Sequence, residues 1–141
     1  MNSVQCVANS SFSQEELILE EKNGVMRFAH LTYSDVVSSI VKNGFVAGDG
    51  NLGIGVYCCD LGNETSVNAL IDFQSDLSEG EDEMSIVVGE YRGKRIECIG
   101  STNPYMLYNK GFVLLSDTEQ INIVEVHTIP VSKITTLLQS L

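Results

Sequence analysis

The chain has 141 residues, with 8 Lys and Arg against 19 Asp and Glu, a formal net charge of -11 and 43% apolar residues. A length of 141 fits one domain spanning 1–141, burying roughly 70% of the surface that its unfolded chain exposes, so no covalent staple is needed. The charge argues against direct nucleic-acid binding by phosphate neutralisation, and no apolar run approaches the roughly 20 residues that cross a bilayer, so a soluble, cytoplasmic chain without membrane contact is expected.

Residues 1–15 are rich in Ser, Asn and Gln and are expected to be a loosely ordered N-terminus. Leu17-Ile18-Leu19 and Val25 to Leu31 are short apolar runs on either side of Asn23-Gly24, a pair that favours tight hairpins, so the two runs are expected to pair with each other. Val36, Val37, Ile40 and Val41 share one face of a helix that Thr32 or Ser34 can cap and Gly44 can end. Gly48 to Gly53 carries three glycines and is expected to be a flexible loop outside the core. A strand follows over Ile54 to Cys59, then a short helix capped by Asn63 with Val67, Leu70 and Ile71 at helical spacing. Ser75 to Glu83, with five carboxylates, is expected to be a solvated loop. Beyond it the pattern predicts strands over Met84–Tyr91, Arg95–Ile99, Gly111–Leu115 and Gln120–Ile129, with Pro130 and Ser132 introducing a closing helical turn. Hairpin, helices and successive strands give an α+β chain with a sheet-dominated second half.

The most informative stretch is Gly53-Ile54-Gly55-Val56-Tyr57-Cys58-Cys59-Asp60. Two glycines two residues apart allow a backbone to approach a neighbour or ligand closely, and they open an apolar strand that carries a tyrosine. The adjacent Cys58 and Cys59 face opposite sides of such a strand, so they, with Cys6 and Cys98, are expected to stay reduced. With no CxxC pair, and only His30 and His127 to offer nitrogen, no metal site is expected. His127 lies in an alternating run and is read as structural.

Three passages, in this order, resemble the catalytic fold of the ADP-ribosyltransferases, in the poly(ADP-ribose) polymerase and diphtheria-toxin branch, over about residues 25–130. They are His30-Leu31-Thr32 before a helix ending Lys42-Asn43-Gly44-Phe45; the glycine-opened strand Gly53 to Asp60; and Val87-Val88-Gly89-Glu90-Tyr91-Arg92-Gly93. The resemblance implies a split antiparallel sheet with a few short helices, and NAD as substrate. It assigns His30 and Thr32 to the adenosine ribose, the backbone of Leu31 to the nicotinamide amide, the Tyr57 ring to stacking on nicotinamide, Gly55 to close backbone approach, and Thr65 or Ser66 to the carboxamide. The residue types suit these roles, since an imidazole offers one donor and one acceptor to paired hydroxyls and an aromatic face holds a flat ring. Thr65 and Ser66 equally suit the first turn of a helix capped by Asn63.

Tyr108-Asn109-Lys110-Gly111-Phe112-Val113-Leu114 departs from the family, because Lys110 stands where polymerising members carry a glutamate. A cation beside a cationic sugar transition state raises the barrier, so chain elongation is not expected, and Glu119 or Asp117 is the candidate replacement carboxylate. The leading expectation is a small mono-ADP-ribosyltransferase, with His30, Tyr57 and Glu119 as candidate catalytic residues and a protein as acceptor; its size suits a bacterial or phage effector. The alternative is a non-catalytic module of the same fold whose acidic surface, including Asp76 to Glu83, grips a basic protein partner. A nucleic-acid mimic fits less well, since the charge is spread over both halves of the chain.

Overall fold

The computed structural model describes residues 16–141, so the expectation for residues 1–15, Cys6 included, lies outside the described residues. Eight strands, β1 (Leu17–Lys22), β2 (Met26–Thr32), β3 (Gly48–Gly50), β4 (Gly53–Asp60), β5 (Glu83–Tyr91), β6 (Arg95–Ser101), β7 (Val113–Leu115) and β8 (Ile121–Pro130), form one sheet in the order β1-β6-β7-β4-β2-β5-β8, with β3 paired to β4. Every pairing is antiparallel. Among the described residues three α-helices, α1 (Val37–Asn43), α2 (Glu64–Leu77) and α3 (Ile134–Ser140), complete an α+β fold.

Period-two alternation sends neighbouring residues to opposite faces, and each face carries its own apolar cluster. Ala29, Leu31, Cys59, Ile86, Leu114 and Phe112 pack on one face, with Leu70 of α2 and Ile134 and Leu138 of α3 laid over them. Phe28, Val56, Cys58, Tyr91, Val113 and Leu115 pack on the other, where Phe45 and Ile121 close the edge. Cys58, Cys59 and Cys98 are buried free thiols, and burial pushes the Cys59 thiol up to about 12.

β2 and β4 pair only at Phe28↔Asp60 and Ala29↔Cys59. Before Cys59, β4 pairs instead with β7, from Val56↔Leu115 to Cys58↔Val113, while β2 continues its seven-residue pairing with β5 through His30, Leu31 and Thr32. The two strands therefore part at Ala29 and Cys59, leaving a split bounded by His30–Thr32 and Gly55–Tyr57.

Several local expectations are corrected. Asn23-Gly24 turns the chain, with Gly24 at φ 106°, but β1 does not pair with β2; it pairs with β6, Leu17↔Ser101 to Lys22↔Arg95. Neither Thr32 nor Ser34 caps α1: Val36 holds the cap position without a side-chain bond, and Thr32 is buried at the end of β2. Gly48–Gly53 is not a loop outside the core, because β3 hydrogen-bonds to β4 and Leu52 is 1% exposed. Asn63 caps α2 as expected, its Oδ1 accepting from Ser66 N at 3.2 Å, but the helix runs on to Leu77, so Ser75 and Asp76 are helical. Ser132 caps nothing; it sits in a single 3₁₀ turn, Val131–Lys133, before α3.

Candidate functional site

The split holds a cavity of about 310 Å³ lined by β2, α1, the α1–β3 connection and β4, with His30, Thr32, Phe45, Gly55 and Tyr57 among its walls. His30 reaches across the gap where ladder hydrogen bonds are missing, its Nδ1 lying 2.7 Å from the Tyr57 carbonyl oxygen. A carbonyl only accepts, so Nδ1 carries the proton. Burial lowers the His30 pKa below its ordinary 6.5, and the bond to the Tyr57 carbonyl offsets part of that shift. At neutral pH the ring is then the neutral Nδ1–H tautomer, and Nε2, which has no hydrogen-bond partner among the described residues, is an acceptor. The Phe45 ring meets the imidazole edge-on at 5.0 Å and 89°, fixing its plane.

One nitrogen is thus already committed, and the expectation that His30 offers both donor and acceptor to a ribose is corrected to a single acceptor. Tyr57 needs a larger correction. Its hydroxyl donates to Gly53 O at 2.6 Å and accepts from Leu52 N at 2.9 Å, so the phenol closes the β3–β4 turn. Burial raises its pKa to about 12. A methyl group at Gly50 would sit 2.7 Å from the ring, so glycine is required there for the ring to lie against the turn. Tyr57 packs with the Leu52 cluster, whereas Val56 packs with Phe28 and Phe45. His30 and Tyr57 are therefore joined through imidazole and backbone carbonyl, and their rings leave the sheet on opposite faces.

Gly55 lines the cavity and is packed so closely on β7 that a methyl group would meet the Leu115 backbone and the Leu114 side chain. Thr32 lines it too, whereas Leu31 points the other way and is buried in the helix-covered core. Ser66 is fully buried; its Oγ accepts from Asp60 N at 2.8 Å and donates to Gly111 O, which ties α2 to the end of β4 and the start of β7. With donor and acceptor both spent inside the protein, Ser66 is structural and not a ligand group. Thr65 is exposed on a different cavity, with Lys110. Glu119 is exposed in the turn before β8, its N–H donating to Asp117 Oδ1, while Asp117 N donates to the Tyr91 hydroxyl. Neither carboxylate lines the split.

Residues expected to share one site therefore divide between two. His30, Thr32, Gly55 and the Tyr57 carbonyl meet at the split, with the Tyr57 ring on the other face, whereas Thr65 and Lys110 face the second cavity, of about 370 Å³, between α2 and the 3₁₀ segment Pro104–Asn109. His127 contacts Glu125 at 3.1 Å on β8. Phe45 was missed as a site wall; its place one residue after the helix-ending Gly44 was the available signal. No helix is long and apolar enough to cross a membrane among the described residues. Comparisons with protein-family models, with curated proteins and with solved structures return no match.

Proposed function

We propose that the chain is an NAD-binding domain of ADP-ribosyltransferase type, in which the split beside His30 receives the adenosine end of the dinucleotide. The observation that carries the reading is the imidazole held across the parted strands by the Tyr57 carbonyl, its Nε2 left as an acceptor, in a cavity that Thr32 and Gly55 also line. That set suits a ribose hydroxyl: Nε2 accepts its proton and the Thr32 hydroxyl can complete the pair. At about 310 Å³ the cavity lies at the small end of ligand pockets, roughly 300–1,000 Å³, and so suits a nucleoside better than a whole dinucleotide.

Binding is better supported than turnover. In mono-ADP-ribosyl transfer nicotinamide would depart with the electrons of the glycosidic bond, and a nucleophile on a protein acceptor would attack the anomeric carbon and lose its proton. The cationic sugar between those events gains nothing from Lys110, and the Tyr57 phenol is committed to Leu52 and Gly53. These two features favour a second reading, a domain of the same type that binds NAD without consuming it.

Isothermal calorimetry with NAD, alongside nicotinamide release measured by chromatography, tests both. Binding that falls at least tenfold in His30→Ala, and in Val46→Trp, which crowds the cavity mouth, supports the NAD reading; released nicotinamide adds catalysis to it. Absence of NAD binding to the wild type, or equal binding by His30→Ala, overturns it.

A further inference from the structure

The second cavity differs from the first in chemistry as well as position. One face of α2 supplies Thr65, Asn68, Ala69, Asp72, Phe73 and Asp76, at the three- and four-residue spacing that stacks side chains along a helix. Leu107, Tyr108, Lys110 and Phe112 supply the facing wall. The Phe73 and Phe112 rings meet edge-on at 5.5 Å, yet Phe73 remains 39% exposed, Leu107 49% and Tyr108 62%. A concave site with exposed aromatic and apolar walls and carboxylates in its rim is poorly satisfied by water alone.

The carboxylates are also badly placed for the helix itself. Asp72 and Asp76 lie one turn apart, where like charges repel, and in the C-terminal half of α2, where the helix dipole favours cations. α2 has no basic residue in its last turn, and neither aspartate makes an ion pair among the described residues. Glu79, Glu81, Asp82 and Glu83 follow directly in sequence and add negative charge.

We infer that this cavity is a docking site for an arginine side chain of a basic protein segment. A guanidinium is planar and weakly hydrated, so it can lie against Phe73 and Tyr108 while its N–H groups reach the Asp72 and Asp76 carboxylates; an ammonium would satisfy the charge but not the flat aromatic walls. The occupant is a segment of another protein chain; residues 1–15, which contain no Lys or Arg, cannot supply it. Lys110 stands on the opposite wall and opposes any cation, which limits affinity. The two cavities share no lining residue, so arginine docking is independent of NAD binding beside His30.

The probe is a fluorescein-labelled peptide of alternating glycine and arginine, compared by anisotropy at low and physiological salt with peptides of the same length carrying lysine or citrulline. Arginine binding at least fivefold tighter than lysine, with citrulline silent, is expected. Asp72→Asn and Asp76→Asn should each weaken binding about tenfold and Lys110→Gln should tighten it, while Glu79→Gln with Glu81→Gln, outside the cavity, should change it less than twofold. The same aspartate substitutions should raise the unfolding temperature, by about 1–2 °C, because they relieve repulsion in the folded helix. Loss of affinity that is equal for cavity and loop variants, no preference for arginine over lysine, or no binding at low salt overturns the proposal.

Discussion

His30 is the residue whose chemistry the fold has narrowed most. Its folded pKa is held below 6.5 chiefly by burial, so between 6.5 and that lower value the unfolded chain binds the proton and the folded one does not. Folding stability therefore rises with pH through this window and falls on acidification, at no more than about 1.4 kcal/mol per pH unit. Urea unfolding at pH 7.5 and 5.5 should show a larger acid loss for the wild type than for His30→Gln, which cannot titrate. Parallel losses would remove His30 as the source. Protonation also turns Nε2 from acceptor to donor, so any ligand hydroxyl that donates to it should be released over the same range.

Among the elements, the β3–β4 turn depends most on one side chain. Tyr57→Phe keeps the ring over Gly50 but leaves Leu52 N without its acceptor and Gly53 O without its donor. The expected cost is about 1–3 kcal/mol, read as a shifted urea midpoint and as faster limited proteolysis between Gly48 and Gly53. An unchanged midpoint would mean that water replaces the phenol without loss. This turn also shows where the sequence was legible and where it was not. Alternation made β4, β5 and β8 readable, and Asn63 announced α2. Glycine spacing announced a special backbone at Gly53 and Gly55 but hid β3, because glycine carries no side-chain periodicity to count. Asn23-Gly24 marked a reversal, but the partner of β1 is decided by packing against β6, which lies far along the chain and leaves no local trace. For the site, His30, Thr32 and Gly55 line one cavity, but Tyr57 gives it a backbone carbonyl while its ring, expected in the same cleft, leaves the sheet on the other face. The destination of each polar atom was not legible, since the Tyr57 hydroxyl and Ser66 Oγ are claimed by backbone groups that only the folded geometry brings near.

At the scale of the molecule, a net charge of -11 acts against compactness everywhere, and the edge strand β1 is held by the most local of counter-forces. Lys22 on β1 places its Nζ 2.7 Å from Glu97 Oε1 on β6, and Asn63 Nδ2 approaches Oε2 of the same carboxylate at 3.4 Å. The hydrogen bond to Glu97, ahead of its charge, holds the Lys22 pKa above its ordinary 10.5. Glu97 is only 5% exposed, so Lys22→Met leaves a buried carboxylate with one weak donor. Because Lys22 itself is partly solvated, the cost is expected at about 1–3 kcal/mol, below that of a wholly buried pair. Replacing both partners, Lys22→Met with Glu97→Met, removes the desolvated charge along with its partner and should recover most of the loss. Salt separates the local from the global term. Raising NaCl from 10 mM to 0.5 M screens the diffuse repulsion between exposed carboxylates, so the unfolding temperature of every variant should rise by a similar amount. The gap between wild type and Lys22→Met should persist, because a buried carboxylate is little screened. If salt closes that gap, β1 is held against general repulsion and the Lys22–Glu97 pair is not its clamp.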